Sequence, residues 1–127
     1  MKAGAAALIG AALLLGGAAP DRSPEGRLAR AIDGRTPGEA VRCVHASRLG
    51  GPEPIGSQVL VYREARRVWV NRLPDHCPGL AGDVVLVQER WGSQICANDR
   101  VRAVPRLGGI PGAPCRLGPF VPYDRVS

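Results

Sequence analysis

Aromatic side chains are scarce in this sequence, five among 127 residues, and lysine and methionine occur once each, at Lys2 and Met1. Histidine occurs twice, at His45 and His76, which restricts any imidazole base to those two positions. A nucleophile needs a base held by a third group. Neither Ser57 in "IGSQV" nor Ser93 in "WGSQI" lies in a Gly-x-Ser-x-Gly elbow. Glycine-rich phosphate loops, paired-carboxylate motifs and calcium loops are also missing. Asn71 and Asn98 are followed by Arg and Asp, so neither is a glycosylation acceptor. There is no block of like charge and no second long apolar run after the first twenty residues. These absences argue against an enzyme, a nucleotide-binding protein and a multi-span membrane protein.

What is present begins with the N-terminus. "MKAGAAALIGAALLLGGAAP" has one positive side chain, then an Ala/Leu-rich run, then small residues ahead of Pro20 and the charged Asp21 and Arg22. That order is expected of a secretory signal peptide over residues 1–18. Gly16 and Ala18 supply the small residues a cut before Ala19 requires, and Gly10, Gly16 and Gly17 interrupt the run, which disfavours a retained membrane helix. Export predicts a periplasmic or secreted protein of 109 residues (127 minus 18), enough for one small domain. Sixteen arginines then stand against eleven acids, a net charge of +5. Guanidinium groups bind phosphate and carboxylate in pairs, and an exported cationic protein meets anionic envelope lipid, polysaccharide or another envelope protein before it meets nucleic acid. The arginines are interspersed with acids, as in "REARR", "QER" and "NDR", so the positive balance also serves solubility.

Residues 19–38 are rich in Pro, Gly and charge and read as a tether. Within it "SPEGRLARAIDG" predicts one short helix, with a proline after a serine, Leu28, Ala31 and Ile32 at helical spacing, and Gly34 as a stop. Residues 39–127 read as a disulfide-stabilised β domain. Six strand-length runs, "EAVRCVHAS", "SQVLVYRE", "RVWVNRL", "DVVLVQER", "SQICAND" and "RVRAV", are separated by turn chemistry. The fold class expected is mainly β, a small antiparallel barrel or sandwich of about six short strands with a short N-terminal helix. One hairpin is predicted at "QVLVYREARRVWVN" with its turn at Glu64 to Arg66, and a second at "DVVLVQERWGSQICA" with its turn at Arg90 to Gly92. The tail from Pro105 to Ser127 is expected to lie over the sheet as coil. In the first hairpin Val59, Val61, Val68 and Val70 share one side and Leu60, Tyr62 and Trp69 the other. One side is core. The other is covered by the helix and by Leu117, Phe120, Val121 and Tyr123 of the tail, the reading favoured, or is a ligand surface of Tyr62, Arg66, Arg67, Trp69 and Arg72.

Four cysteines, Cys43, Cys77, Cys96 and Cys115, follow the export signal, and an even number in a small secreted domain reads as two disulfides. Three pairings satisfy the count, and loop-closure entropy of roughly 3 to 4 kcal/mol per bridge does not choose among them. In the predicted second hairpin Cys96 faces Val87, well away from Cys77, which makes a Cys77 to Cys96 bond least attractive. Cys43 and Cys96 lie in predicted strands, Cys77 and Cys115 in Pro/Gly loops, and strand-to-strand with loop-to-loop pairing is preferred. The rival is a metal site of Cys43, His45, His76 and Cys77, which supplies two sulfurs and two nitrogens but lacks the spacing of a zinc finger. No cofactor is expected.

Four segments, "LARAIDGRTPGEAVRCV", "VLVYREARRVWVNRL", "GSQICANDRVRAV" and "LGPFVPYDR", resemble in order a family of small exported alphaproteobacterial proteins of unknown function. The shared pattern is Gly-Arg and then Gly before the first cysteine, an aromatic-plus-Asn-Arg strand, Ser-Gln-aliphatic-Cys, and Leu-Gly-x-Phe. The resemblance implies that Cys43 with Cys96 is the common bridge and Cys77 with Cys115 an additional one. It implies no activity, substrate or cofactor, and "LPDHCPGL" departs from the pattern. The functional expectation is a non-catalytic envelope-binding module. The alternatives are a metal-binding protein or enzyme built on Cys43, His45, His76 and Cys77, and a protease-inhibitor-like module that presents the tail.

Overall fold

The structure, a computed structural model, describes residues 21–126. The signal-peptide expectation lies outside the described residues. The first element of the described residues is helix α1, Pro24–Ala31. Ser23 caps it by accepting the Gly26 N–H at 3.1 Å, and Pro24 occupies the first helical position, where its missing N–H costs nothing. The strands are β1 Arg35–Pro37, β2 Cys43–His45, β3 Gly50–Ile55, β4 Val59–Glu64, β5 Arg67–Arg72, β6 Val84–Gln88, β7 Gln94–Cys96, β8 Arg100–Pro105, β9 Cys115–Arg116 and β10 Phe120–Arg125. All pairings are antiparallel. They build a five-stranded sheet in the order β1-β10-β5-β4-β3, a two-stranded ladder β2-β7 and a three-stranded sheet β6-β8-β9.

The five-stranded sheet is apolar on both faces, as the alternation in the first hairpin predicts. Val61, Val68, Val70 and Ile55 form one cluster, closed by Leu28, Ala31 and Ile32 of α1. Leu60, Tyr62, Trp69 and Phe120 form the other, closed by Val44 and Ile95 from the small ladder, Val101 and Leu86 from the three-stranded sheet, and Leu80 and Leu117 from loops. The result is a sandwich of open sheets rather than a closed barrel. With so few aromatics, the second core is organised around one ring: Phe120 meets Tyr62 at 5.5 Å and Trp69 edge-on at 6.4 Å. Burial pushes the Tyr62 phenol well above its ordinary pKa, so it stays neutral and donates to Gln88.

Four expectations are corrected. Residues 24–37 do not form a tether: α1 packs on the sheet, Arg27 donates to the Pro54 carbonyl at 3.0 Å, and β1 pairs with β10. The tail is irregular over 106–114 and 117–119 but also supplies β9 and β10, and β10 lies between β1 and β5. Pro122 is tolerated there because its carbonyl accepts from Gly38, so its missing N–H falls on the β1 side, just where the β1 pairing ends at Pro37. The strand β3, "GGPEPI", is hidden in the sequence for a related reason, since an edge strand accepts proline on its unpaired side. The second hairpin does not form. The chain does reverse at Gly92, with a single bridge between Trp91 and Gln94, but β6 pairs with β8 (Val87 opposite Arg102) and β7 pairs with β2. Finally, the second face of the first hairpin is covered, as favoured from the sequence, and its alternative is the reading corrected: Tyr62 and Trp69 are 1% and 6% exposed, so neither offers an aromatic ligand surface.

The seam between β5 and β10 is closed by Arg67 and Asp124, which meet in two hydrogen bonds of 2.8 Å, with the guanidinium also 5.0 Å over the Trp69 ring. The Arg67 hydrogen bonds hold the Asp124 carboxyl below the usual aspartate range. A depressed folded-state pKa contributes stability that is present above the unfolded value, about 3.9, and is lost as pH falls through the folded value. Asp124→Asn is therefore expected to lower the urea midpoint slightly at neutral pH, with the gap from the parent closing as the pH is taken down through the lowered folded-state value. A gap independent of pH would assign the effect to packing.

Candidate anion-binding surface

The cysteines set the geometry. Cys43 and Cys96 are directly opposite in the β2-β7 ladder, with Cα atoms 4.0 Å apart, and are bonded to each other. The Ala97 N–H to Arg42 carbonyl bond and the Ala46 N–H to Ser93 carbonyl bond flank this register, so the cysteines occupy a narrow, non-hydrogen-bonded pair, where side chains come closest. Cys77 and Cys115 form the second bond. The preferred pairing is the one observed, although Cys96 faces Cys43 and not Val87. Both sulfurs of the metal alternative are thus consumed, and among the described residues no group of three or more metal-ligating side chains gathers. His45 and His76 are exposed. The His76 ring has its Nδ1 2.8 Å from the Ser57 hydroxyl, and the Cys77 N–H donates to the Ser57 carbonyl, so this pair fixes a loop to the start of β4. The neighbouring acid, Asp75, is engaged by Arg116 at 3.3 Å rather than by the imidazole, and the arrangement lacks an orienting third group.

Between the two bridges lies a groove of about 530 Å³ floored by Val41, Ala97, Leu117 and Pro119 and rimmed by Arg42, Arg72 and Arg116. Each arginine adjoins a covalent or hydrogen-bonded anchor. Arg42 precedes Cys43, Arg116 follows Cys115, and Arg72 follows Asn71, the one fully buried polar residue described. The Asn71 amide donates to the Gly118 carbonyl at 2.7 Å and accepts the Gly118 N–H at 2.8 Å, which clamps the Leu117–Pro119 wall. The Asp99 turn holds the adjoining wall: its carboxylate takes the Cys96 N–H at 2.7 Å, and its carbonyl takes the Leu117 N–H. Arg116 continues into a second groove of about 510 Å³ with His76 and Arg100. Among the described residues Arg42, Arg72 and Arg100 form no ion pair. An apolar floor with unpaired guanidinium groups at its rim suits an anionic group carried on an apolar body.

Of the residues singled out in the sequence as a ligand surface, only Arg72 belongs to this groove. Arg67 is engaged by Asp124, and Arg66 is exposed at the β4-β5 turn. Arg42, Arg100 and Arg116 carry no distinguishing signal in the sequence. They converge only because β2, β8 and β9 are brought together by the bridges and by the sheet register.

Comparison with protein-family models, curated proteins and solved structures finds no match. The class of protein is therefore defined by its own fold: a mainly β, disulfide-linked domain. Two structural bridges are the mark of an oxidising compartment. No helix of the described residues is long and apolar enough to cross a membrane.

Proposed function

We propose that the chain is a non-catalytic cell-envelope module, exported by its N-terminal segment and oxidised outside the cytoplasm, that binds a phosphate- or carboxylate-bearing envelope component. The resemblance to small exported alphaproteobacterial proteins is consistent with that compartment. The observation that carries the reading is the groove in which Arg42, Arg72 and Arg116 surround an apolar floor without neutralising partners at Arg42 and Arg72. Charge-assisted contacts to a ligand phosphate or carboxylate are stronger than neutral ones, and because Arg42, Arg72 and Arg116 are exposed, salt screens them. The test is titration calorimetry with an acidic polysaccharide and with a soluble short-chain anionic lipid. Arg42→Gln and Arg72→Gln are each expected to weaken binding about tenfold. Affinity should also fall steadily as salt rises. Unchanged affinity in the double variant, or binding that ignores salt, would remove the groove from consideration.

A further inference from the structure

Among the described residues, nothing covers one face of the sheet β6-β8-β9. Leu86, Val101 and Ala103 point into the core, and Gln88 meets Tyr62. The alternate residues therefore point away from it. Val85 and Val87 are 44% and 50% exposed, opposite Val104 and Arg102 respectively. Beyond them Arg100 stands opposite Arg116, like charges on neighbouring strands that ordinarily repel. The face thus carries two adjoining rows, one apolar and one of guanidinium groups. Just past the end of β6, Trp91 is 88% exposed and shares a depression with Glu89, Asp99 and Arg100. At the other end of the sheet, in the 106–114 loop, Leu107 and Ile110 are 93% and 90% exposed. Single exposed apolar residues are ordinary, but three large ones almost wholly in water, in a chain with five aromatics, are not.

Resting on the envelope reading above, we propose that this face docks the protein on an anionic lipid bilayer. Trp91, Leu107 and Ile110 enter the interfacial zone, while Arg100, Arg102 and Arg116 meet lipid phosphates. Charge complementarity selects the occupant. The arginine row matches a plane of phosphates, the apolar row matches the acyl boundary immediately beneath it, and an indole is at home between the two. A second copy is a poorer fit. Antiparallel pairing of two β6 edges centred on Leu86 would set Asp83 of each against Glu89 of the other, acid against acid. The docking face is also continuous with the groove through Arg116, so a headgroup held there belongs to the same membrane plane.

The chain has two tryptophans, one buried, so Trp69→Phe leaves Trp91 as the only indole. On titration with phosphatidylglycerol vesicles its emission is expected to shift to the blue and to be quenched by brominated acyl chains, with neither response to phosphatidylcholine vesicles. In the parent, the Leu107→Ser/Ile110→Ser variant, altered only at exposed positions, is expected to co-sediment with phosphatidylglycerol vesicles at least about tenfold more weakly. That measurement keeps the question open to refutation should Trp69→Phe not fold. Vesicle binding with unshifted Trp91 emission and unaffected Leu107/Ile110 variants would overturn the docking face while leaving the envelope reading intact. A Trp91 shift with soluble acidic peptides and none with vesicles would overturn it in favour of a peptide site. Loss of groove binding in the Arg42 and Arg72 variants is read separately, with soluble ligands and no bilayer.

Discussion

Removing both disulfides is expected to leave the chain unfolded, and removing either one alone to lower its stability by about 4 kcal/mol. Closing loops whose ends lie 53 and 38 residues apart restricts the unfolded ensemble by amounts of that order, and the total stability of a small domain is only about 5–15 kcal/mol. The two losses should differ in kind. The β2-β7 ladder has just three residue pairs, so Cys43→Ala/Cys96→Ala loosens that ladder and one wall of the arginine groove. Cys77 is buried in the larger core, and Cys77→Ala/Cys115→Ala frees both the 73–83 loop and the entry to β9. Urea unfolding followed by circular dichroism separates the variants, and the quadruple variant should show no cooperative transition. Urea midpoints unmoved by reductant would mean that packing alone holds the fold.

Gly118→Ala is expected to destabilise by about 3–5 kcal/mol, lowering the melting temperature by roughly 15–30 °C. A Cβ at position 118 would lie 2.1 Å from the Arg72 carbonyl oxygen, a backbone atom fixed in the central sheet, and 3.5 Å from the Asn71 side-chain oxygen. Relieving that overlap requires the Leu117–Pro119 wall to retreat, which breaks both hydrogen bonds to Asn71 and strands a buried amide. Asn71→Ala should cost about 2–4 kcal/mol by leaving the Gly118 N–H and carbonyl without partners. Because both changes break the same clamp, the double variant should lose clearly less than the sum of the singles. Additive losses would show that the glycine is needed for space alone and that the clamp contributes nothing beyond it.

Position 118 also shows why part of the molecule could be read in advance and part could not. The Leu-Gly-x-Phe ending is visible as a string, but the need for glycine arises from a strand 46 residues earlier in the chain. Likewise, "FVPYDR" reads as coil because proline usually argues against a central strand, and only the pairing geometry around Pro122 reverses that inference. The second predicted hairpin failed because proximity in sequence is a weak guide when a short run can pair with several partners. The β6 run prefers β8, whose Val101 and Ala103 complete the same core layer. By contrast, the helix at Pro24–Ala31, the first hairpin and the separation of its valines from Leu60, Tyr62 and Trp69 follow from alternation and capping, which are local.

From its sequence alone, this protein was determined to be mainly β, poor in aromatic side chains, cationic through arginine and equipped with four cysteines suited to two bridges. Composition, periodicity and residue chemistry act over a few positions and survive without knowledge of the fold. Tertiary structure alone decided which strands adjoin, that Tyr62 and Trp69 are covered, and that Arg42, Arg72, Arg100 and Arg116 meet around one continuous surface. Those outcomes depend on contacts between residues tens of positions apart. Burial of a shared core and closure of two covalent loops select them together, and no short stretch of the chain encodes that choice.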